Sequence, residues 1–200
     1  MTATAMTRRD KQRGANREGI LRAALSIAER EGWPAVTIRK IADEIDYTSP
    51  IIYQHFDNKE AALQAVMEGG YGDLEAQLRR AMTSADPEAR LLELSRAYLG
   101  FARDHRHVYE LMHGLGGVSL DPRARGGAAA GVVTLTTGAV SAWADLRHAH
   151  IDPLRASETA WGVLHGMASL GLLPDIGFER AEELAVDALI ALLRSWEADA

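Results

Sequence analysis

Ser49, Tyr53, Gln54 and His55 bring a hydroxyl, a phenol, an amide and an imidazole together within one short stretch, TSPIIYQHFDNK, that ends at Lys59. These groups donate and accept hydrogen bonds, and Lys59 adds a cation; together they are the types that meet base edges and phosphates. Ile52 and Phe56, four residues apart, share the opposite face and point at a core. The polar set is therefore turned outward, as a surface that touches nucleic acid has to be.

Two short helices and a tight turn must position that surface. Ile38, Ile41, Ala42 and Ile45 fall at i, i+3, i+4 and i+7, one apolar stripe, and Thr37 stands before them as an N-cap. The run stops at Asp46-Tyr47, where Asp tolerates the left-handed backbone of a sharp turn. Ser49 then caps a second helix that runs to Phe56, with Pro50 at its first position, where the missing N–H costs nothing. The pattern is a helix-turn-helix.

The segment resembles the DNA-binding head of the tetracycline-repressor (TetR) family of bacterial transcription regulators. Gly32-Trp33, Thr37, Ile41-Ala42, Tyr53, His55-Phe56 and Lys59 stand at that family's spacings, while Asp46 replaces the usual turn glycine and Tyr47 the usual small residue. The resemblance implies that the second helix lies in the major groove and presents Thr48, Ser49, Pro50 and Gln54 to base edges. Gln54 suits adenine, Pro50 a thymine methyl, and Arg39 a guanine or a phosphate. Thr37, Tyr53, His55 and Lys59 are then phosphate clamps, which fix register without reading sequence.

Around the motif the chain is all-α, with no strand-period stretch or internal repeat. Residues 1–16 read as a basic arm and 17–60 as a three-helix head; 61–200 read as a helical effector-binding and dimerisation domain. The first helix covers Arg17 to Glu31 and stops at Gly32. Asn58 caps a helix from Lys59 toward Met82 that the Gly69-Gly70 pair weakens and can kink. Helices are expected over Pro87–His105, Arg106–His113, Ala128–His150, Pro153–Leu172 and Glu179–Glu197, with a glycine-rich loop over Gly114–Gly127. The last two are long and apolar-faced, a natural surface for a homodimer.

A second resemblance lies in this half. Trp161-Gly162-Val163-Leu164-His165-Gly166, with Tyr109-x-x-Met112, is similar to the Trp, His, Gly signature of one regulatory-domain subtype of the same family. Phe101, Tyr109, Met112 and Trp161 offer apolar walls, and His113, Thr134, Thr137 and His165 polar anchors, for a small-molecule effector. The same residue types also describe an ordinary helical core.

Composition narrows the rest. With 47% hydrophobic and 25% charged residues the chain is ordinary for a soluble globular protein, and with no cysteine it has neither disulfides nor thiolate metal sites. The net charge of −6 disfavours a polyanionic partner only as a sum. Residues 1–60 carry 10 basic against 9 acidic side chains, and residues 61–200 carry 12 against 19. Arg8, Arg9, Lys11, Arg13 and Arg17 concentrate positive charge before the first helix, which fits an arm that follows a groove and equally a solvated disordered tail. Met1 to Arg17 has no apolar signal-peptide core, so a cytoplasmic protein is expected. The 19 uncharged residues Gly126–Ala144 reach the length of a membrane span. Their Ala, Gly and Thr content suits a helix buried in soluble protein better, and no membrane partner is expected. His105-x-His107 and His148-x-His150 place their rings on different helix faces, which argues against a metal. No nucleophile elbow, phosphate loop or carboxylate pair points to catalysis or a cofactor.

The expectation is a homodimeric repressor that holds a palindromic double-stranded operator and leaves it when an effector binds. The alternatives are a ligand-independent regulator or activator and, more remotely, a helical enzyme carrying the same head.

Overall fold

The computed structural model describes residues 8–198, which form nine α-helices and one 3-10 turn, with no strand among the described residues. The all-α expectation holds. Helix α1 (Arg8–Glu31), the 3-10 turn Trp33–Ala35, α2 (Ile38–Glu44) and α3 (Ser49–Tyr53) come first in the chain. They close on Ile20, Ala24, Ile27, Trp33, Val36, Ile41, Ile52 and Phe56, all buried. Thr37 caps α2 as its sequence position suggests, accepting from the Lys40 N–H at 3.2 Å. Arg30 pairs with Glu44 at 2.6 Å and Lys40 with Glu31 at 2.5 Å, which ties α1 to α2 along their solvent side.

Helix α1 starts at Arg8, nine residues before the expected Arg17, so the arm assigned to residues 1–16 is helical from Arg8 onward. Arg, Lys and Gln are good helix formers. Gln12 also donates to Asn16 at 2.9 Å, and the Asn16 side chain receives the Tyr47 hydroxyl at 3.2 Å. The remainder of the arm lies outside the described residues. Asp46 takes the left-handed conformation, φ 54°, expected of it. The N-cap of α3 is Thr48 rather than Ser49, which leaves Pro50 still within the first turn, where no N–H is needed. The helix ends at Tyr53, short of the expected Phe56, and Gln54 N–H and His55 N–H bond back three residues, to Ile51 O and Ile52 O, as in a tightened last turn.

Six further helices follow: α4 (Lys59–Ala81), α5 (Pro87–Asp104), α6 (Arg106–His113), α7 (Pro122–Arg147), α8 (Pro153–Gly171) and α9 (Gly177–Ala198). Asn58 caps α4 by accepting from Ala61 N–H at 2.8 Å. No break interrupts α4 at Gly69-Gly70. Gly70 is buried there, and a Cβ on it would collide with Val108 and Met112 of α6, so this glycine sets how closely the two helices approach. Helix α7 begins at Pro122, six residues inside the stretch expected to be loop. Asp121 caps it by accepting from Arg123 N–H at 2.9 Å, and Gly126-Gly127 are carried along.

Helix α7 lies against α4, α5 and α8, and it is long and apolar enough by composition to cross a membrane. The expectation of a buried helix holds only for its second half, where Ala139, Val140, Trp143 and Ala144 are buried. Gly126, Gly127, Ala130, Val133 and Thr134 are exposed, and most of these side chains are too small to carry a large exposure penalty. Helices α8 and α9 pack on each other, with α5 beneath both.

A candidate nucleic-acid interface and an apolar cavity

At the α2–α3 end, the turn and cap hold the polar side chains outward. Thr37, Arg39, Thr48, Pro50, Tyr53 and Gln54 are exposed, and Ser49, His55 and Lys59 are half-buried, so none of the nine side chains picked from the sequence is lost to the core. Tyr53 is 54% exposed although it is aromatic, and no buried core claims it. Thr48 spends no side-chain hydrogen bond on its cap, which leaves its hydroxyl unengaged by α3. Arg39 lies 3.8 Å from Asp43 in a solvated pair, an interaction weak enough to exchange for another anion.

Two basic side chains of α1, Arg13 and Arg17, lie near this end of the head. Arg17 lies over the Phe56 ring, 5.2 Å from its centroid. Partial burial, and then the charges of Arg13 and Arg17, hold the His55 imidazole below its ordinary pKa, so it is neutral near pH 7 and donates as a neutral ring. Tyr47, which departs from the expected small residue, links the turn to α1 through Asn16.

The second feature is a cavity of about 450 Å³ between α4, α5, α7 and α8, with walls that are mostly apolar. Three of the eight side chains proposed from sequence as effector contacts, His113, Trp161 and His165, line it. The other five do not. Phe101 is buried against the His105 ring, 4.8 Å between centroids. Met112 is buried where α6 meets Gly70. Tyr109 sits behind the wall, 2.6 Å from His165 Nδ1 and 3.2 Å from the Tyr98 hydroxyl. Thr134 faces a shallow groove beside Arg79 and Arg90, and Thr137 Oγ1 is buried without a partner. Helical phase selects Thr136 as the lining threonine instead, and the Ser157 hydroxyl lies 3.0 Å from its Oγ1.

Sequence reading missed Arg125, Tyr71 and Glu158, which also line the cavity. Arg125 falls in the stretch taken for loop, where Asp121-Pro122 carried the signature of a helix start. Arg125 and the exposed Glu158 are the charged residues of the lining. Burial, with His165 and Arg125 nearby, holds His113 down at about 3, and burial lowers His165. Burial raises Tyr71, and raises Tyr98 to about 12. Trp161 stacks on His165 at the rim, 5.4 Å between ring centroids, and remains 48% exposed.

Comparison with known proteins gives a consistent outcome. The family described as bacterial regulatory proteins, tetR family, matches residues 20–66, and the tetracyclin repressor-like C-terminal domain matches residues 91–193. An uncharacterised HTH-type transcriptional regulator of Mycobacterium tuberculosis is 29% identical over 167 residues, 80% of this chain and 73% of that protein. The HTH-type transcriptional activator FasR of Mycolicibacterium smegmatis is 30% identical over 105 residues, 52% of this chain and 46% of FasR. Among solved structures, a protein of unknown function from Rhodococcus sp. RHA1 superposes with a TM-score of 0.77 at 26% identity, over 90% of this chain and 94% of that one.

Proposed function

Because this chain belongs to the tetR family of bacterial regulatory proteins and is a DNA-binding transcriptional regulator, we propose that it is a repressor released from its operator by a small molecule held in the α4–α5–α7–α8 cavity. The proposed organisation is a head over residues 17–60 on a helical body over residues 61–200, paired into a homodimer through α8 and α9. A protein of this kind works in the cytoplasm and catalyses nothing.

In this reading Thr48, Ser49, Pro50 and Gln54 meet base edges. Thr37, Tyr53, His55 and Lys59 hold phosphates, and Arg39 serves either role. A symmetric pair seats both copies of α3 in successive major grooves, with half-sites about 34–36 Å apart or a multiple of that. The observation that carries the effector half is the cavity itself. It is apolar, with a few convergent polar groups, and α4 forms one wall while its first residue, Lys59, belongs to the DNA-facing surface. A ligand that favours one tilt of α4 changes the spacing of the two heads, which is the differential affinity any effector needs.

The test is to select bound duplexes from a random pool with the purified protein, then screen metabolites for release of the selected sequence. A near-palindromic site and at least one releasing compound are expected. A selected site that no cavity-binding compound affects would leave a ligand-independent regulator. A transcription assay on the selected site decides the sign, since FasR is named an activator.

A further inference from the structure

The cavity holds one feature that an apolar pocket does not require. Arg125, on the first turns of α7, lines it, and its Nε is shut off from solvent with no hydrogen-bond partner. No carboxylate among the described residues lies within ion-pair distance of its guanidinium. The residue as a whole is half-buried, but this one N–H is out of water and unpaired, which costs the free chain a hydrogen bond. The other charged lining residue, Glu158 on α8, is exposed and keeps its hydration, so it offers an incoming cation little. His113 and Tyr71 stand at the Arg125 end, with rings 6.3 Å apart in an edge arrangement; both are uncharged near neutral pH and add no second cation. Leu74, Leu78, Leu91, Leu94, Val132 and Leu164 supply apolar walls for the remaining length.

We propose that the cavity takes an apolar monocarboxylate, whose carboxylate pairs with the Arg125 guanidinium and whose hydrocarbon body lies between α4, α5, α7 and α8. A carboxylate matches the guanidinium fork in two parallel hydrogen bonds, whereas a phosphate dianion would leave charge uncompensated in a cavity with one cation. The proposal rests on the cavity being the effector site and adds the chemical class of the effector.

The experiment is titration calorimetry on the full chain with octanoate, decanoate and phenylbutyrate, each beside the primary alcohol and primary amine of the same skeleton. At least one acid binds about tenfold or more tightly than its alcohol and its amine. In Arg125→Gln that preference falls to about twofold or less, and Arg125→Lys keeps part of it, as a point charge without the fork would. Melting of the unliganded variants, with a midpoint no lower than that of the parent chain, shows that the fold survives. Equal binding of acid and alcohol, a preference that persists in Arg125→Gln, or no binding by any of the three acids overturns the proposal. Alcohols or amines that bind and release DNA would sink the carboxylate while leaving the effector reading intact. Acids that bind through Arg125 without altering DNA affinity would do the reverse.

Discussion

Trp33 donates its indole N–H to the main-chain carbonyl of His107 across 2.8 Å, a hydrogen bond between the DNA-binding head and α6 that spans 74 positions of sequence. The ring is buried, and a side chain on Gly116 would run into it, so the loop after α6 closes over the same indole. Helix α6 ends in His113 at the cavity, which makes Trp33 a packed connection between the head and the helix that reaches the cavity. Trp33→Phe removes the donor and shrinks the ring, with an expected loss of about 1–3 kcal/mol in chemical denaturation. If this contact carries the effector signal, operator affinity without ligand stays within about threefold while the ligand-induced change shrinks. An unchanged ligand response would place the coupling elsewhere.

The two adjacent glycines of α4 should behave oppositely. Gly69 is exposed with nothing near a Cβ, so Gly69→Ala stabilises by about 0.5–1 kcal/mol through helix propensity. Gly70→Ala drives a methyl into Val108 and the Met112 sulfur of α6 and destabilises by about 1–3 kcal/mol. Urea midpoints of the two variants settle the matter, and equal shifts would mean that α6 yields freely.

On the DNA side, Tyr53→Phe and Lys59→Ala weaken binding to all duplexes alike, and Lys59→Ala lowers the slope of log affinity against log salt by about one. Gln54→Ala instead relaxes discrimination at one base pair, by about 1–3 kcal/mol. Binding isotherms on the selected site and on single-base variants separate the two behaviours. Equal loss of discrimination in all three would contradict the assignment.

Histidines held neutral by burial make stability depend on pH. His113 is depressed to about 3, and His165 and His55 are also lowered. In the unfolded chain these rings take up protons near pH 6.5. Their folded pKa values lie below the unfolded one, so this contribution to stability is fully present above about pH 6.5 and is lost as pH falls, continuing toward about pH 3 for His113. The carboxylates of Glu44, Glu93 and Asp104, lowered chiefly by hydrogen bonds from Arg30, Ser84 and Arg103 respectively, add a loss of the same sign only in the carboxylate range. Between about pH 6.5 and 5 the slope therefore reports histidine, at most about 1.4 kcal/mol per pH unit for each ring. Urea unfolding of His113→Gln should give a flatter profile in that window, and an unchanged slope would contradict the burial of its neutral form.

The head was legible because its signals are local. Thr37 and Asn58 cap the helices they were expected to cap, Asp46 takes its left-handed turn, and Ile52 and Phe56 alternate with the polar residues as a short amphipathic helix dictates. Only neighbours within one or two turns of helix decide such features. The cavity was less legible because both sides of its walls are apolar, so periodicity cannot separate a residue facing empty space from one facing another helix. Tyr109 and Met112 went into the core while His113 reached the cavity, and on α7 the phase preferred Thr136 to Thr134 and Thr137. Arg125 was hidden for another reason: its glycine-rich surroundings read as loop, although Asp121 and Pro122 start a helix there.

Because α4 runs through Gly69 and Gly70 without a break, its 23 residues make one continuous helix about 34 Å along its axis. Swinging such a lever by about 5° at its Ala81 end carries Lys59 through about 3 Å, about the length of one hydrogen bond. A break at the glycine pair would absorb the same swing halfway along; a helix that runs unbroken through it hands more of the displacement to the Lys59 end.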